Sequence, residues 1–182
     1  GAGSVAVGSV AGVDRHTVTL KLHEPRAADT EAPLRVTVAV ALLKSDKLSD
    51  VVRQCTELGA ASFQLLVTQH ADLASMSPAR LQRLRRVAEE AARQSGRATV
   101  PPVSDPMVLS EFDWEGPALV AHPYTTSSLA DVWPGDGAGA SGVSVAAAAA
   151  AQAAPGTTPL TPLTPPTAVT VITGPEGGFS DA

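Results

Sequence analysis

Cysteine is nearly absent from this sequence: of 182 residues only Cys55 is one. That excludes an internal disulfide framework and any metal site built from several thiolates. Aromatic residues make up 3%, so aliphatic side chains and alanine must fill a core, and aromatic platforms for stacking bases are scarce. No apolar run approaches the roughly 20 residues of a membrane-spanning helix. No basic-then-apolar leader opens the residues given, and a cytoplasmic protein is the expectation. There is no P-loop lysine and no Gly-x-Ser-x-Gly elbow, which counts against a nucleoside triphosphatase and a serine hydrolase.

Positive charge is missing from the second half. All 13 Lys and Arg fall in residues 1–97, against 10 Asp and Glu, whereas residues 98–182 carry eight acids and no base. The net charge of −5 therefore averages a basic half and an acidic half, and it does not exclude a polyanionic partner. What is present suits a globular chain: 44% hydrophobic and 17% charged residues rule out wholesale disorder.

Residues 5–11 and 16–23 alternate like strands, joined by a loop at 12–15. Val18, Leu20 and Leu22 share one face, and two strands alone are marginal in water, so a larger sheet is expected around them. Residues 24–33 read as a polar linker. Residues 35–43 are β-branched and then continuously apolar, as in a strand buried on both faces. Ser45 or Asp46 can cap a helix carrying Leu48, Val51, Val52 and Cys55 at helical spacing, closed by Leu58-Gly59. With a second short strand at 62–68, this makes a βαβ unit and predicts a parallel sheet.

Ser77-Pro78 opens the longest helix, which runs to Ser95 and ends at Gly96. A third buried strand is expected at 117–122, a short helix at 127–133 and a last strand at 168–173. Between them, residues 135–167 hold six consecutive alanines and a Thr-Pro-Leu repeat and read as a flexible insertion.

Chemistry is expected where loops leave the carboxyl ends of strands. Gly174-Pro175-Glu176-Gly177-Gly178 follows the last strand directly, and its glycines would let a ligand approach the backbone. On its residues alone it is equally an ordinary strand-to-helix turn. His122-Pro123 also follows a strand, although a lone histidine is more often structural. The four histidines show no metal-ligand spacing, so no metal site is expected. The arginines of the long helix could bind phosphate, although a solvated face with ion pairs to Glu89 and Glu90 is the commoner meaning of such a run. Lys44, Lys47 and Arg97 differ, because each stands at the end of an element where loops gather.

Several pieces resemble one family in order and register. They are Ala41-Leu-Leu-Lys-Ser-Asp-Lys47, Cys55-Thr-Glu-Leu-Gly59, Ala88-Glu-Glu-Ala-Ala-Arg-Gln-Ser-Gly-Arg97, Val100-Pro-Pro-Val103, His122-Pro123 and Gly174-Pro-Glu-Gly-Gly-Phe-Ser180. Together they resemble the ribosomal small-subunit methyltransferase E family of the SPOUT class. The resemblance implies S-adenosylmethionine-dependent methylation of uracil N3 in 16S ribosomal RNA of the small ribosomal subunit, by a homodimer. Another RNA such as transfer RNA, or a non-catalytic RNA-binding module, remains open.

The resemblance also implies an α/β fold: a SPOUT-type parallel sheet flanked by helices with a trefoil knot, whose carboxyl-terminal knot segment is absent from this chain. Residues 1–34 would be the last strands of a PUA-like RNA-binding β-barrel plus a linker, and residues 35–182 a truncated methyltransferase domain. His122, Pro123, Gly174, Pro175, Glu176, Gly177 and Gly178 match the cofactor-binding loops. Lys44, Gln94 and Arg97 match positions near the RNA-facing cleft, with Arg97 a candidate for stabilising charge on the uracil oxygens.

Overall fold

The computed structural model describes residues 3–44, 46–71, 73, 75–114, 116–121, 145–147 and 167–174. Near the amino end, β1 (Ser4–Val5) pairs antiparallel with β4 (Arg26–Ala27), and β2 (Gly8–Val13) forms a hairpin with β3 (Val18–Leu22). The main unit then runs β5 (Arg35–Ala41), α1 (Lys47–Glu57), β6 (Ser62–Val67), α2 (Pro78–Gln94), β7 (Met107–Val108), a single 3-10 turn (Leu109–Glu111), β8 (Ala118–Ala121), β9 (Val145–Ala147) and β10 (Ala168–Thr173). Six of these strands form one sheet in the order β7-β6-β5-β10-β8-β9. The first five in that order are parallel and β9 is antiparallel to β8.

The long apolar runs dictate the core. Val38, Val40 and Leu42 of the β5 segment and Phe63 and Leu65 of β6 face α1 and α2, where Leu48, Val52, Leu81, Leu84 and Ala88 are buried against them. Because side chains alternate along a strand, Ala39, Leu66 and Ile172 point to the other face. There Met107, Leu109 and Phe112 pack on them as the chain crosses that face toward β8. Strands buried on both sides need apolar residues at every position, which is why β5 reads as an unbroken hydrophobic run.

Both helices start and stop where the sequence places them. Ser77 caps α2 by accepting from Arg80 N at 3.3 Å, and Pro78 fills the first turn. Each helix ends in a paired turn around a left-handed glycine. In α1, Gly59 (φ 100°) donates to Thr56 O and Ala60 N to Cys55 O; in α2, Gly96 (φ 71°) donates to Arg93 O and Arg97 N to Ala92 O. At the start of α1, Asp46 makes no side-chain cap bond; its carboxylate meets Arg83 at 2.9 Å instead.

Three expectations need correction. The β2–β3 hairpin joins no larger sheet among the described residues, and Val10 and Leu20 remain 62% and 53% exposed. Part of the polar linker is strand β4, held against β1. Val145–Ala147, inside the segment expected to be a flexible insertion, forms β9 at the sheet edge. The expected helix at 127–133 lies outside the described residues.

Candidate functional site

The last strand lies in the middle of the sheet. β10 pairs with β5 from Ala168↔Arg35 to Thr173↔Val40, and with β8 from Thr170↔Ala118 to Thr173↔Ala121. From β5 the chain moves outward over α1 and α2 on one face, and it reaches β8 across the opposite face. The strand order therefore reverses beside β5. In open parallel sheets a crevice forms at the carboxyl ends of strands at such a reversal. Gly174, half-buried, emerges at that point, one residue past the Thr173↔Val40 pair. Lys44 is exposed on the same edge, three residues beyond β5.

Of the expected cofactor residues, only Gly174 is described; His122, Pro123, Pro175, Glu176, Gly177 and Gly178 lie outside the described residues. What the fold contributes to the fit is position: the glycine loop leaves the sheet at the reversal, next to the end of β5.

The expected RNA-facing residues divide between the two ends of the sheet. Lys44 stands at the carboxyl edge. Gln94 is the last residue of α2, exposed at the amino edge, because α2 runs back antiparallel to the strands. Arg97 follows it there and is not free to enter a cleft. Its side chain is 6% exposed. Nη1 donates to the carbonyls of Thr56 (2.9 Å) and Ala60 (2.8 Å), and Nε donates to Glu31 Oε2 at 3.1 Å, with Nη2 also on that carboxylate. A guanidinium so committed, a strand length of about 20 Å from Gly174, does not serve the charge-stabilising role expected of it. Its geometry is that of a clamp.

Glu31 completes the clamp and was invisible to sequence reasoning, since it lies 66 residues from Arg97 inside an expected linker. Its carboxylate also accepts from Thr99 N, while Thr30 Oγ1 accepts from Ala98 N. The Arg97 hydrogen bond, above all, holds the Glu31 carboxyl below the usual glutamate range, partly opposed by burial. Cys55, half-buried against the core, has its thiol pushed up by burial, as suits packing rather than nucleophilic chemistry.

Most arginines of α2 are exposed, as expected of a solvated face, but several find partners in neighbouring loops rather than along the helix. Arg80 Nη2 donates to Leu43 O at 2.7 Å, Arg83 meets Asp46 at 2.9 Å, and Arg85 meets Val103 O at 3.0 Å and Asp105 at 3.3 Å. Only Arg93 pairs with Glu89 along the helix. Their reach to neighbouring loops depends on tertiary packing, which spacing along one helix does not report. No cluster of three potential metal ligands occurs among the described residues, and no described helix is long and apolar enough to cross a membrane.

Residues 30–182 match the model of the RNA methyltransferase domain family. The chain belongs to that family. Over 94 residues this chain is 42% identical to Ribosomal RNA small subunit methyltransferase E of Synechocystis sp., a match covering 52% of the chain and 31% of that relative. The same enzyme from Neisseria gonorrhoeae, solved bound to S-adenosyl methionine, superposes with a TM-score of 0.73 at 20% identity, over 100% of this chain and 65% of that one. A Legionella pneumophila protein solved with bound SAM gives 0.71 at 22%, over 98% and 64%. The structural matches establish a shared fold, a parallel sheet flanked by helices. The chain spans about a third of its curated relative and less than two thirds of these solved structures.

Proposed function

We propose that this chain carries the catalytic unit of an S-adenosylmethionine-dependent methyltransferase that modifies uracil N3 in 16S ribosomal RNA. The supporting observation is the position of Gly174: in an RNA methyltransferase family member, the glycine loop leaves the sheet where its strand order reverses. The printed identities of the relatives point to the same cofactor and to small-subunit ribosomal RNA. On this reading the loop from Gly174 to Gly178, with His122 and Pro123, holds the cofactor through backbone groups, and Lys44 faces the RNA. Residues 1–34 belong to an amino-terminal RNA-binding unit, 35–182 to the methyltransferase domain, and the active species is a cytoplasmic homodimer.

Bound there, S-adenosylmethionine supplies a methyl group already activated by its sulfonium. The harder task falls to the protein. Uracil N3 carries a proton on the Watson–Crick edge, so the base must be unpaired, aligned and relieved of that proton. On this reading the base is received at the carboxyl edge, where a sheet of this strand order opens, and cationic side chains there meet the flanking backbone.

The test uses the full-length gene product, S-adenosylmethionine and small-subunit particles lacking the modification, with transfer RNA in parallel. Methyl transfer to one uridine of 16S RNA is expected; transfer to transfer RNA alone would redirect the proposal, and no transfer to any RNA overturns it. Replacing Gly177 by valine should abolish cofactor binding in calorimetry, and unchanged affinity would remove the loop assignment.

A further inference from the structure

The α2 helix begins in a way that propensity does not explain. Helix N-termini carry partial positive charge and favour acids, yet the first turn of α2 contains none; Arg80 stands there instead, and Arg83 follows in the next turn. The start of α1 carries Lys47 as its first residue, beside the acids Asp46 and Asp50. Both helix starts lie at the carboxyl edge, and the loop between β5 and α1 joins them: Arg80 reaches Leu43 O at 2.7 Å and Arg83 reaches Asp46 at 2.9 Å. Four cations, Lys44, Lys47, Arg80 and Arg83, gather at this rim together with the acids Asp46 and Asp50. Thr68, just past β6 on the same edge, has a buried hydroxyl with no hydrogen-bond partner among the described residues. An arginine in the first turn of α2, where an acid would favour the helix, is the kind of local conflict that a binding surface leaves in a sequence.

We infer that Lys47, Arg80 and Arg83, continuing from Lys44, form a strip that grips the phosphate backbone of an RNA strand as it passes the glycine loop. This rests on the RNA methyltransferase reading and deepens it by naming where the substrate's backbone runs. Two exposed helix N-termini add their dipoles to the side-chain charges, and a phosphodiester is the anion both would favour. The exposed Arg83–Asp46 pair does not oppose this: with side chains 63% and 72% exposed, the ion pair contributes little and can exchange for a phosphate. At the amino edge Arg97 is buried against Glu31 and Arg93 is paired with Glu89, while Arg35 is exposed at the start of β5.

The experiment titrates labelled oligouridylate into the full-length protein across a series of KCl concentrations. The variant carries Lys47→Gln and Arg83→Gln, both exposed positions whose loss leaves the core intact. Its affinity should fall about tenfold, and the dependence of log affinity on log salt should flatten by about 1 to 2. Arg83→Lys should restore most of the Arg83 share, and Arg93→Gln, at the far end of α2, should leave both readouts at wild type. Wild-type affinity and slope in the double variant overturn the strip, as does an equal loss in Arg93→Gln. Polyglutamate that displaces the RNA at matched charge, and only from the unsubstituted protein, would mark an acidic polypeptide surface instead and also overturns it. Cofactor affinity is measured in parallel: absence of S-adenosylmethionine binding in the wild type defeats the proposed enzyme, while the RNA titration still reads the strip.

Discussion

Arg97 shows how one residue changes meaning between sequence and structure. Placed after a glycine cap it reads as a free cation, yet its guanidinium joins three elements: the end of α1 through Thr56 O, the entry to β6 through Ala60 O, and the segment before β5 through Glu31. Truncating it strands a carboxylate and two carbonyls. Arg97→Ala should therefore lower the unfolding free energy by about 3 kcal/mol in urea titration. Arg97→Lys should recover only part, since an ammonium lacks the planar fork that spans these acceptors. Glu31 sets the acid limb. Its folded pKa is depressed, so its contribution is complete above the unfolded value of about 4.3 and is lost as pH falls through the folded value. Thermal unfolding should show Glu31→Gln losing stability at neutral pH and showing a shallower decline on acidification than the wild type. Gly116 is constrained differently. It has φ of 75°, and an added Cβ would stand 2.7 Å from Ala168 O. Gly116→Ala should cost about 1–3 kcal/mol, more than the strain of a positive φ alone.

At the scale of elements, burial decides which apolar residues matter. Leu84 is 1% exposed in the layer between α2 and the sheet, whereas Leu20 on β3 is 53% exposed. Leu84→Ala should cost about 2–5 kcal/mol, and Leu20→Ala should stay within about 0.5 kcal/mol, both read from denaturant midpoints. The helices were legible because their signals are local: Ser77-Pro78 at one end, and Gly59 and Gly96 at the others, act on backbone groups a few residues away. Strands β5, β6, β8 and β10 were legible as apolar runs bounded by turns. Strand β7 has two residues and β9 three, too few for any periodicity to register. Their existence depends on a neighbouring edge to pair with, and composition near β9 favoured a loop.

For the whole molecule, the sequence by itself determined the parallel α/β class, both helices with the serine cap of α2 and the glycine ends of each, the family, and a glycine loop at the end of a strand. Each of these follows from contacts within a few residues or from a motif in order along the chain. Only the tertiary structure decided that β10 inserts between β5 and β8, because strand order is chosen by which edges remain unpaired after the βαβ units form. That insertion places Gly174 at the reversal beside Lys44 and sends Gln94 and Arg97 to the opposite end. Tertiary packing also gave exposed arginines of α2 partners in neighbouring loops. A charge declares its sign in the sequence, but its partner is fixed by packing between segments far apart in the chain, and that packing separates the cations of the carboxyl rim from the clamp at the amino edge.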